Sequence, residues 1–407
     1  MSLTSARLSL GFSHVGHGFS HLLTLLFPTV VLALEAEWGM SYDQLLPLAL
    51  AGSILFGLGA LPAGWLGDRW SASGMMVIFF LGTGAATVAT GFARTPFELA
   101  AGMAATGLFA SIYHPVGIAW LVRNAKNRGK TLGVNGVLGS IGVAGAPLLA
   151  GALTDLLSWR WAFFVPGAAC FALGLGMWVT MRGGQMMEIK TDMKPEPKAS
   201  RDDIVRAFFV LSLTMVCAGL VYQCLSLAMP KVFADRATEI LGSGATGVGL
   251  AVSTIYMAAG LAQYVGGYLA DRYSNKMVYL VTFLLQVPVC LLVAQASGLP
   301  VIGLVATLAV LQTLNLPSES MLLARYTPEK WRATAFGAKF VLSIGVSAAG
   351  VPLIAWIYGA TGGFLWLFVT MAALAGIAAA ACLSLPSGRD EVPVPATAPT
   401  NAVAAAD

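Results

Sequence analysis

GWLGDRWSASG, from Gly64 to Gly74, returns as GYLADRYSNKM, from Gly267 to Met277, an offset of 203 residues in a chain of 407. Apolar runs long enough to cross a bilayer flank both copies, about 20 residues being needed when the chain is helical. GSIGVAGAPLL (Gly139 to Leu149) likewise returns as LSIGVSAAGVPLI (Leu342 to Ile354), and Arg123 and Arg325 follow Pro115 and Pro317 by the same eight residues. A chain whose second half restates its first in this way reads as two parallel repeats.

Working outward, the apolar runs number twelve, over about 8–34, 43–66, 74–93, 97–121, 131–154, 159–181, 206–233, 245–270, 277–296, 299–323, 333–358 and 362–385. The expected fold is an all-α membrane protein, twelve transmembrane helices in two pseudo-symmetric six-helix bundles. The first bundle is expected over 1–181, a cytoplasmic linker over 182–205, the second bundle over 206–385 and a disordered cytoplasmic tail over 386–407. The linker is the longest polar stretch, RGGQMMEIKTDMKPEPKASRDDIVR, and the Pro/Ala-rich tail has no apolar face to bury.

Composition agrees: 57% of residues are hydrophobic and 10% charged, against about 25% charged in soluble proteins. That excludes a soluble enzyme, and the net charge of +4 is too small to imply a nucleic-acid partner. The five cysteines lie in apolar runs without paired spacing, so neither disulfides nor a zinc cluster is expected. Nineteen of the 23 Lys and Arg residues fall on the side of the termini and linker, which by the positive-inside rule places both termini in the cytoplasm of a cell whose inner membrane holds the chain.

Gly64, Asp68 and Arg69, echoed by Gly267, Asp271 and Arg272, resemble the signature loops of the major facilitator superfamily, between the second and third and the eighth and ninth spans. The resemblance covers about residues 8 to 385. It implies a central cavity, lined chiefly by spans 1, 4, 7 and 10, that opens alternately to each side. An Asp beside an Arg at the membrane boundary suits a charge relay whose pairing changes between the two states; the alternative is charge that fixes topology.

In the fifth span Gly133, Gly142, Ala146, Pro147, Ala150 and Gly151 resemble the antiporter motif of drug-exporting facilitators, with Ala146 and Ala150 standing for Gly. Small residues at this spacing permit close packing, and Pro147 bends the helix; ordinary packing is the competing reading. GLFASIYHPVG, Gly107 to Gly117, carries a His114-Pro115 pair that resembles the fosmidomycin-resistance branch. The Arg that many exporters place before the fourth-span glycine would fall at Met103, so coupling through it does not carry over.

Ionisable groups inside the bilayer cost about 2.5–3.5 kcal/mol at a helix centre on insertion scales, so they mark function. All four histidines qualify: His14, His17 and His21 in the first span and His114 in the fourth, joined by Glu319 in the tenth and Lys339 in the eleventh. At 100° per residue the three first-span histidines fall within an arc of about 60°. Heights of about 9 Å for His14 and 10 Å for His114 above the cytoplasmic helix ends let the two meet. Gly11 and Gly18 share that face and leave room beside the rings. Imidazole titrates near neutrality and suits proton coupling; the other readings are neutral histidines bonded to backbone carbonyls, and ligation of a metal cargo. No resident metal or cofactor is assigned. Glu319 either carries protons or pairs with Lys339, whose pseudo-symmetric position is Asn135. Gln223, the counterpart of His21, stands beside Tyr222, and with Asn315 and Gln312 it is read as facing the cavity.

These readings describe a secondary active transporter of a small organic molecule, with protons and the substrate as its partners, functional as a monomer. Proton-coupled export by antiport leads. The alternative is proton-coupled uptake by symport of an organic anion, or of a transition metal or metal chelate. No HExxH, GxSxG, phosphate loop or CxxC is present, so no enzyme activity is expected.

Overall fold

The computed structural model describes residues 3–125, 128–184, 201–327, 339 and 341–386. Among them, twelve helices are long and apolar enough to span a membrane: α1 Ser5–Trp38, α2 Tyr42–Arg69, α3 Ala72–Gly91, α4 Pro96–Asn124, α5 Thr131–Leu156, α6 Trp161–Arg182, α7 Asp202–Arg236, α8 Ala245–Arg272, α9 Asn275–Gln295, α10 Gly298–Leu323, α11 Val341–Thr361 and α12 Leu365–Leu383. The helix containing α7 starts at Arg201, so that 201–205, expected in the linker, form its first turns. The rest of the linker from 185 to 200, the tail from 387, and the start of the eleventh expected span lie outside the described residues.

The repeat is visible in how the helices start. Ser71 caps α3, its hydroxyl accepting from the Gly74 amide at 2.9 Å, and Ser274, its repeat mate, does the same for Met277 at 3.4 Å. Each serine satisfies an amide that the first helical turn leaves without an intrahelical partner. Prolines mark the interruptions. Helix α1 breaks before Pro28, α4 widens into a π-helical turn at Tyr113–Gly117 around Pro115, and α10 breaks at Asn315 before Pro317. A proline lacks the amide that would continue the ladder, so the turn before it relaxes.

The packing obeys the pseudo-symmetry of two six-helix bundles. In the first, α3 packs on α6, α2 on α4 and α1 on α5; in the second, α9 packs on α12, α8 on α10 and α7 on α11. Between bundles the main contacts are α5 on α8 and α2 on α11, a pair that the internal two-fold exchanges.

Lipid tails are as apolar as leucine, so close backbone approach replaces hydrophobic burial as the force between helices. A Cβ on Gly142 would lie 2.0 Å from the Gly18 carbonyl oxygen, joining α5 to α1. Across the bundle boundary, a Cβ on Gly151 would lie 2.4 Å from the Ala245 carbonyl oxygen and one on Gly249 2.2 Å from that of Pro147. Gly18 therefore packs against backbone and does not leave the space expected of it; Gly11 does, with nothing within 4 Å of its Cβ position. Gly133, at the other end of α5, also meets nothing, so within the antiporter-like spacing Gly142 and Gly151 are packing glycines and Gly133 is not.

The two ends of the molecule differ. One, here called the basic face, carries Arg69, Arg123, Arg182 and Arg272 at helix ends. There α5 and α8 part: Gly136 and Gly267 meet nothing within 4 Å, and Tyr264 is 86% exposed. At the opposite face the bundles are tied. Asp155, at the end of α5, accepts from the Ala245 amide at 3.1 Å and the Thr246 amide at 2.7 Å, capping α8, a helix of the other bundle. Helix α8 has no side-chain cap of its own, its preceding residue being Gly244.

Candidate functional site

Four side chains from three helices build one polar cluster in the first bundle. Asn135 of α5 stands between two histidines of α1: its side-chain oxygen is 3.3 Å from His14 Nδ1 and its backbone oxygen 2.7 Å from His17 Nδ1. Tyr113 of α4 stacks on His17 with ring centroids 5.0 Å apart and planes 15° from parallel. Its hydroxyl shares its hydrogen between Asn135 Oδ1 and the Ser13 carbonyl, each 3.0 Å away. The His17 ring is thereby held by edge and by face. Space for it comes from Gly139, where a Cβ would lie 2.5 Å from His17 Cε1.

A carbonyl oxygen can only accept, so the hydrogen in the His17–Asn135 bond belongs to Nδ1. In the neutral ring Nε2 then carries a lone pair. That lone pair faces His21 Nε2 at 3.2 Å, one helical turn further along α1. His114 stands across both, its ring centroid 5.5 Å from His17 and 5.3 Å from His21. Phe56 of α2 closes on His114 from the other side at 5.9 Å.

The histidines that meet are His17, His21 and His114; His14, expected to reach His114, binds Asn135 instead. The register explains this. The Ser13 hydroxyl donates to the Gly117 carbonyl at 2.9 Å, and α1 and α4 run antiparallel. Each step back along α4 is thus one step forward along α1, which sets His114 level with His17. Heights counted from the helix ends assumed that both ends lie in one plane, and they do not.

A cavity of about 130 Å³ lies beside this cluster and spans the boundary between bundles. His21, Thr24 and Phe56 contribute from the first bundle, and Tyr222, Gln223 and Ser343 from the second. Gln223 is where the sequence puts it. Asn315, Gln312 and Glu319 of α10 are buried but do not line this cavity. Glu319 belongs to a second cluster: it pairs with Lys339 at 2.8 Å and accepts from the Tyr279 hydroxyl at 2.8 Å, while Lys339 also donates to Ser320 at 3.0 Å. Pairing, one of the two readings of Glu319, is what the structure contains.

The signature loops are unequal. Asp68 pairs with Arg123 at 3.3 Å, and a Cβ on Gly64 would touch Pro115 at 3.2 Å, so the first loop is seated on α4. Arg69 lies over the Trp65 ring at 4.9 Å. In the second loop Gly267 meets nothing, Asp271 has no ion pair among the described residues, and Arg272 donates to the Tyr268 hydroxyl on its own helix.

Sequence reasoning missed the opposite face. Lys231 of α7 contacts both carboxylate oxygens of Glu35 of α1, at 2.9 and 3.0 Å, and reaches Asp235 at 3.1 Å. Tyr358 of α11 donates to Asp235 at 3.1 Å, and Tyr42 of α2 to the Leu227 carbonyl at 3.0 Å. With Asp155 these residues join the bundles from both sides of the boundary. The available signal was Lys231 itself, one of only four basic residues assigned to that side.

A twelve-helix protein with a cavity between two repeated bundles, tied at one face by an ion pair and a carboxylate cap, is a multi-pass membrane protein of the two-bundle type. A sequence profile of the Major Facilitator Superfamily matches residues 15–234 and 211–405. The chain belongs to the major facilitator superfamily. Among curated relatives, the puromycin resistance protein pur8 of Streptomyces alboniger is 31% identical over 164 residues, 39% of this chain and 33% of that protein. An uncharacterised MFS-type transporter of Mycobacterium tuberculosis (strain ATCC 25618 / H37Rv), Rv1250, is 29% identical over 151 residues, 36% of this chain and 25% of that one. The match thus spans a third or less of these relatives' lengths. Among solved structures, a bacterial homologue of the human lysosomal transporter Spinster, inward-facing and unoccupied, superposes with a TM-score of 0.71 at 14% identity over 95% of both chains. A POT family transporter in complex with 5-aminolevulinic acid gives 0.73 at 13% identity, over 92% of this chain and 94% of that one. These likenesses establish the shared fold.

Proposed function

We propose that the chain is a secondary transporter that exports a small organic molecule in exchange for protons, by alternating access across a cytoplasmic membrane. The observation that carries this reading is the cavity between the bundles with His21 in its wall and His17 and His114 behind it. A chain of imidazoles leading from a substrate space into the first bundle gives a proton somewhere to bind in the same place as the cargo. Family membership supports transport, and the named activity of the puromycin resistance relative supports export. His114-Pro115 and the packing glycines Gly142 and Gly151 support reading the chain as one of the fosmidomycin-resistance and drug-exporter side of the family.

The state described is then the inward-open one, with the basic face toward the cytoplasm. Substrate enters between the parted ends of α5 and α8, the ties at Glu35, Lys231 and Asp155 release, and the cavity opens outward. A proton taken up on the His21–His17 pair displaces the substrate and is given up on the cytoplasmic side after the bundles rock back. The cavity wall is mostly apolar with a few hydroxyl and amide groups, which suits an amphipathic, largely uncharged molecule. An anionic cargo loses its support here, since Lys339 is paired with Glu319 and does not line the cavity.

The test is reconstitution into liposomes under an imposed pH gradient, with puromycin as the first compound and internal pH followed by a trapped dye. Gradient-driven flux that falls by an order of magnitude or more in His21→Ala supports the reading. Flux that ignores the gradient, or is untouched in His17→Ala, His21→Ala and His114→Ala alike, overturns it.

A further inference from the structure

The three histidines have a second chemistry open to them. One ring nitrogen from each of His17, His21 and His114 can be chosen so that all three lie within 4.8 Å of one another. Nε2 of His17 and Nε2 of His21 are 3.2 Å apart. Zinc binds imidazole at about 2.0–2.1 Å in tetrahedral geometry, which sets ligand nitrogens about 3.3 Å apart. The His17–His21 pair stands at that separation without any movement, and drawing a His114 nitrogen in to it is the adjustment that metal binding requires.

The surroundings are those of a ligand set. Metal-binding histidines commonly donate their other ring N–H to a carbonyl, which fixes the tautomer and aims the lone pair. His17 does this through Nδ1 to the Asn135 carbonyl at 2.7 Å, and Tyr113 locks the ring plane by stacking. His21 lies in the cavity wall, so an ion held by the trio stands next to the cavity. Three protein ligands with one open position is the arrangement of a zinc site that exchanges its fourth ligand.

We propose that His17, His21 and His114 form a three-imidazole site for a divalent transition-metal ion, with the fourth coordination position facing the cavity between the bundles. When the trio is neutral, His21 passes its Nε2 hydrogen to Nδ1 by way of water in the cavity, so the ion binds with no net loss of protons. The other titratable side chains facing the trio are His14, Tyr113 and, across the cavity, Tyr222. The site uses the same residues as the coupling reading above but stands or falls separately from it.

The experiment titrates zinc chloride into the full chain in detergent, carrying an affinity tag without histidines, and measures bound metal by equilibrium dialysis. Cobalt(II) in place of zinc reports tetrahedral nitrogen ligation through its visible absorption. One ion per chain is expected, with binding weakened about tenfold or more in His21→Ala and in His114→Ala. Gly139→Ala keeps every ligand but drives a methyl group into the His17 ring, and is expected to weaken binding while the elution profile and helicity are unchanged. No binding at one ion per chain, or binding equal in the His17→Ala/His21→Ala/His114→Ala protein, overturns the proposal. Proton-driven flux measured in chelator-treated buffer separates the two readings: flux without metal binding leaves transport standing and removes this site, and metal binding without gradient-driven flux does the reverse.

Discussion

At the scale of single residues, the membrane interior holds two kinds of charge-capable group, and the structure treats them differently. Glu319 and Lys339 neutralise one another, their side chains 3% and 12% exposed. Removing one partner of a buried pair costs about 3–5 kcal/mol because the other is left unpaired, whereas replacing both is often neutral. Lys339→Met is therefore expected to lower the unfolding temperature in detergent substantially, and Lys339→Met with Glu319→Gln to recover most of it. A double variant no better than the single one would mean that the pair is not what stabilises this site. The histidines, by contrast, are fixed by neutral partners. That they share a face was legible from spacing alone, since 17 and 21 are one turn apart. Which of them meets His114 was not, because the register of α1 against α4 is set by a hydroxyl-to-carbonyl bond between Ser13 and Gly117, and sequence does not display register.

Between helices, glycines that look alike in sequence do opposite things. Gly142→Ala pushes a methyl group onto the Gly18 carbonyl, and the overpacking is expected to cost about 1–3 kcal/mol. Gly133→Ala, from the same motif, meets open space inside a helix and is expected to leave stability unchanged or raise it by up to about 1 kcal/mol. Thermal unfolding of the two proteins side by side checks both. Gly249→Ala falls at the bundle boundary, where its methyl group would strike the Pro147 carbonyl. It is expected to weaken closure of the opposite face more than the fold of either bundle, read as greater accessibility of a cysteine placed at the buried Ala245, which leaves the Asp155 cap in place. The motif spacing told of close packing in α5 but not of its partner. Helix α5 uses Gly142 against α1 and Gly151 against α8, a division that follows from their separation of nine residues, which at about 100° per residue sets them on opposite faces of the helix.

For the whole molecule, the repeat made the architecture readable: two copies of one loop, twelve runs, and a reversal of charge from face to face. It left the conformational state unread, because the ties that set it join residues such as Glu35 and Lys231 that are far apart in the chain and have no repeat mates in contact. Glu35→Gln is the cleaner probe of those ties, since Asp235 still pairs with Lys231 and no lone charge is left behind. Spin labels placed across the boundary on both faces are expected to move apart at the opposite face and together at the basic face. A bias of about 1.4 kcal/mol changes the ratio of states tenfold, so loss of one such tie falls within the range of a measurable shift. Unchanged distances on both faces would mean that backbone contact between α5 and α8 holds the state without help from charge.

The cap that Asp155 lends to α8 bears on how such a chain can vary. A residue at the end of one bundle completes a helix of the other, so the first bundle cannot be exchanged for that of a relative without also matching the start of α8. Hybrids joined in the linker are expected to insert and fold bundle by bundle, yet to fail at this junction unless the donor brings an acid at the same place. The two halves of the chain descend from one pattern, but across this boundary they are inherited as a pair.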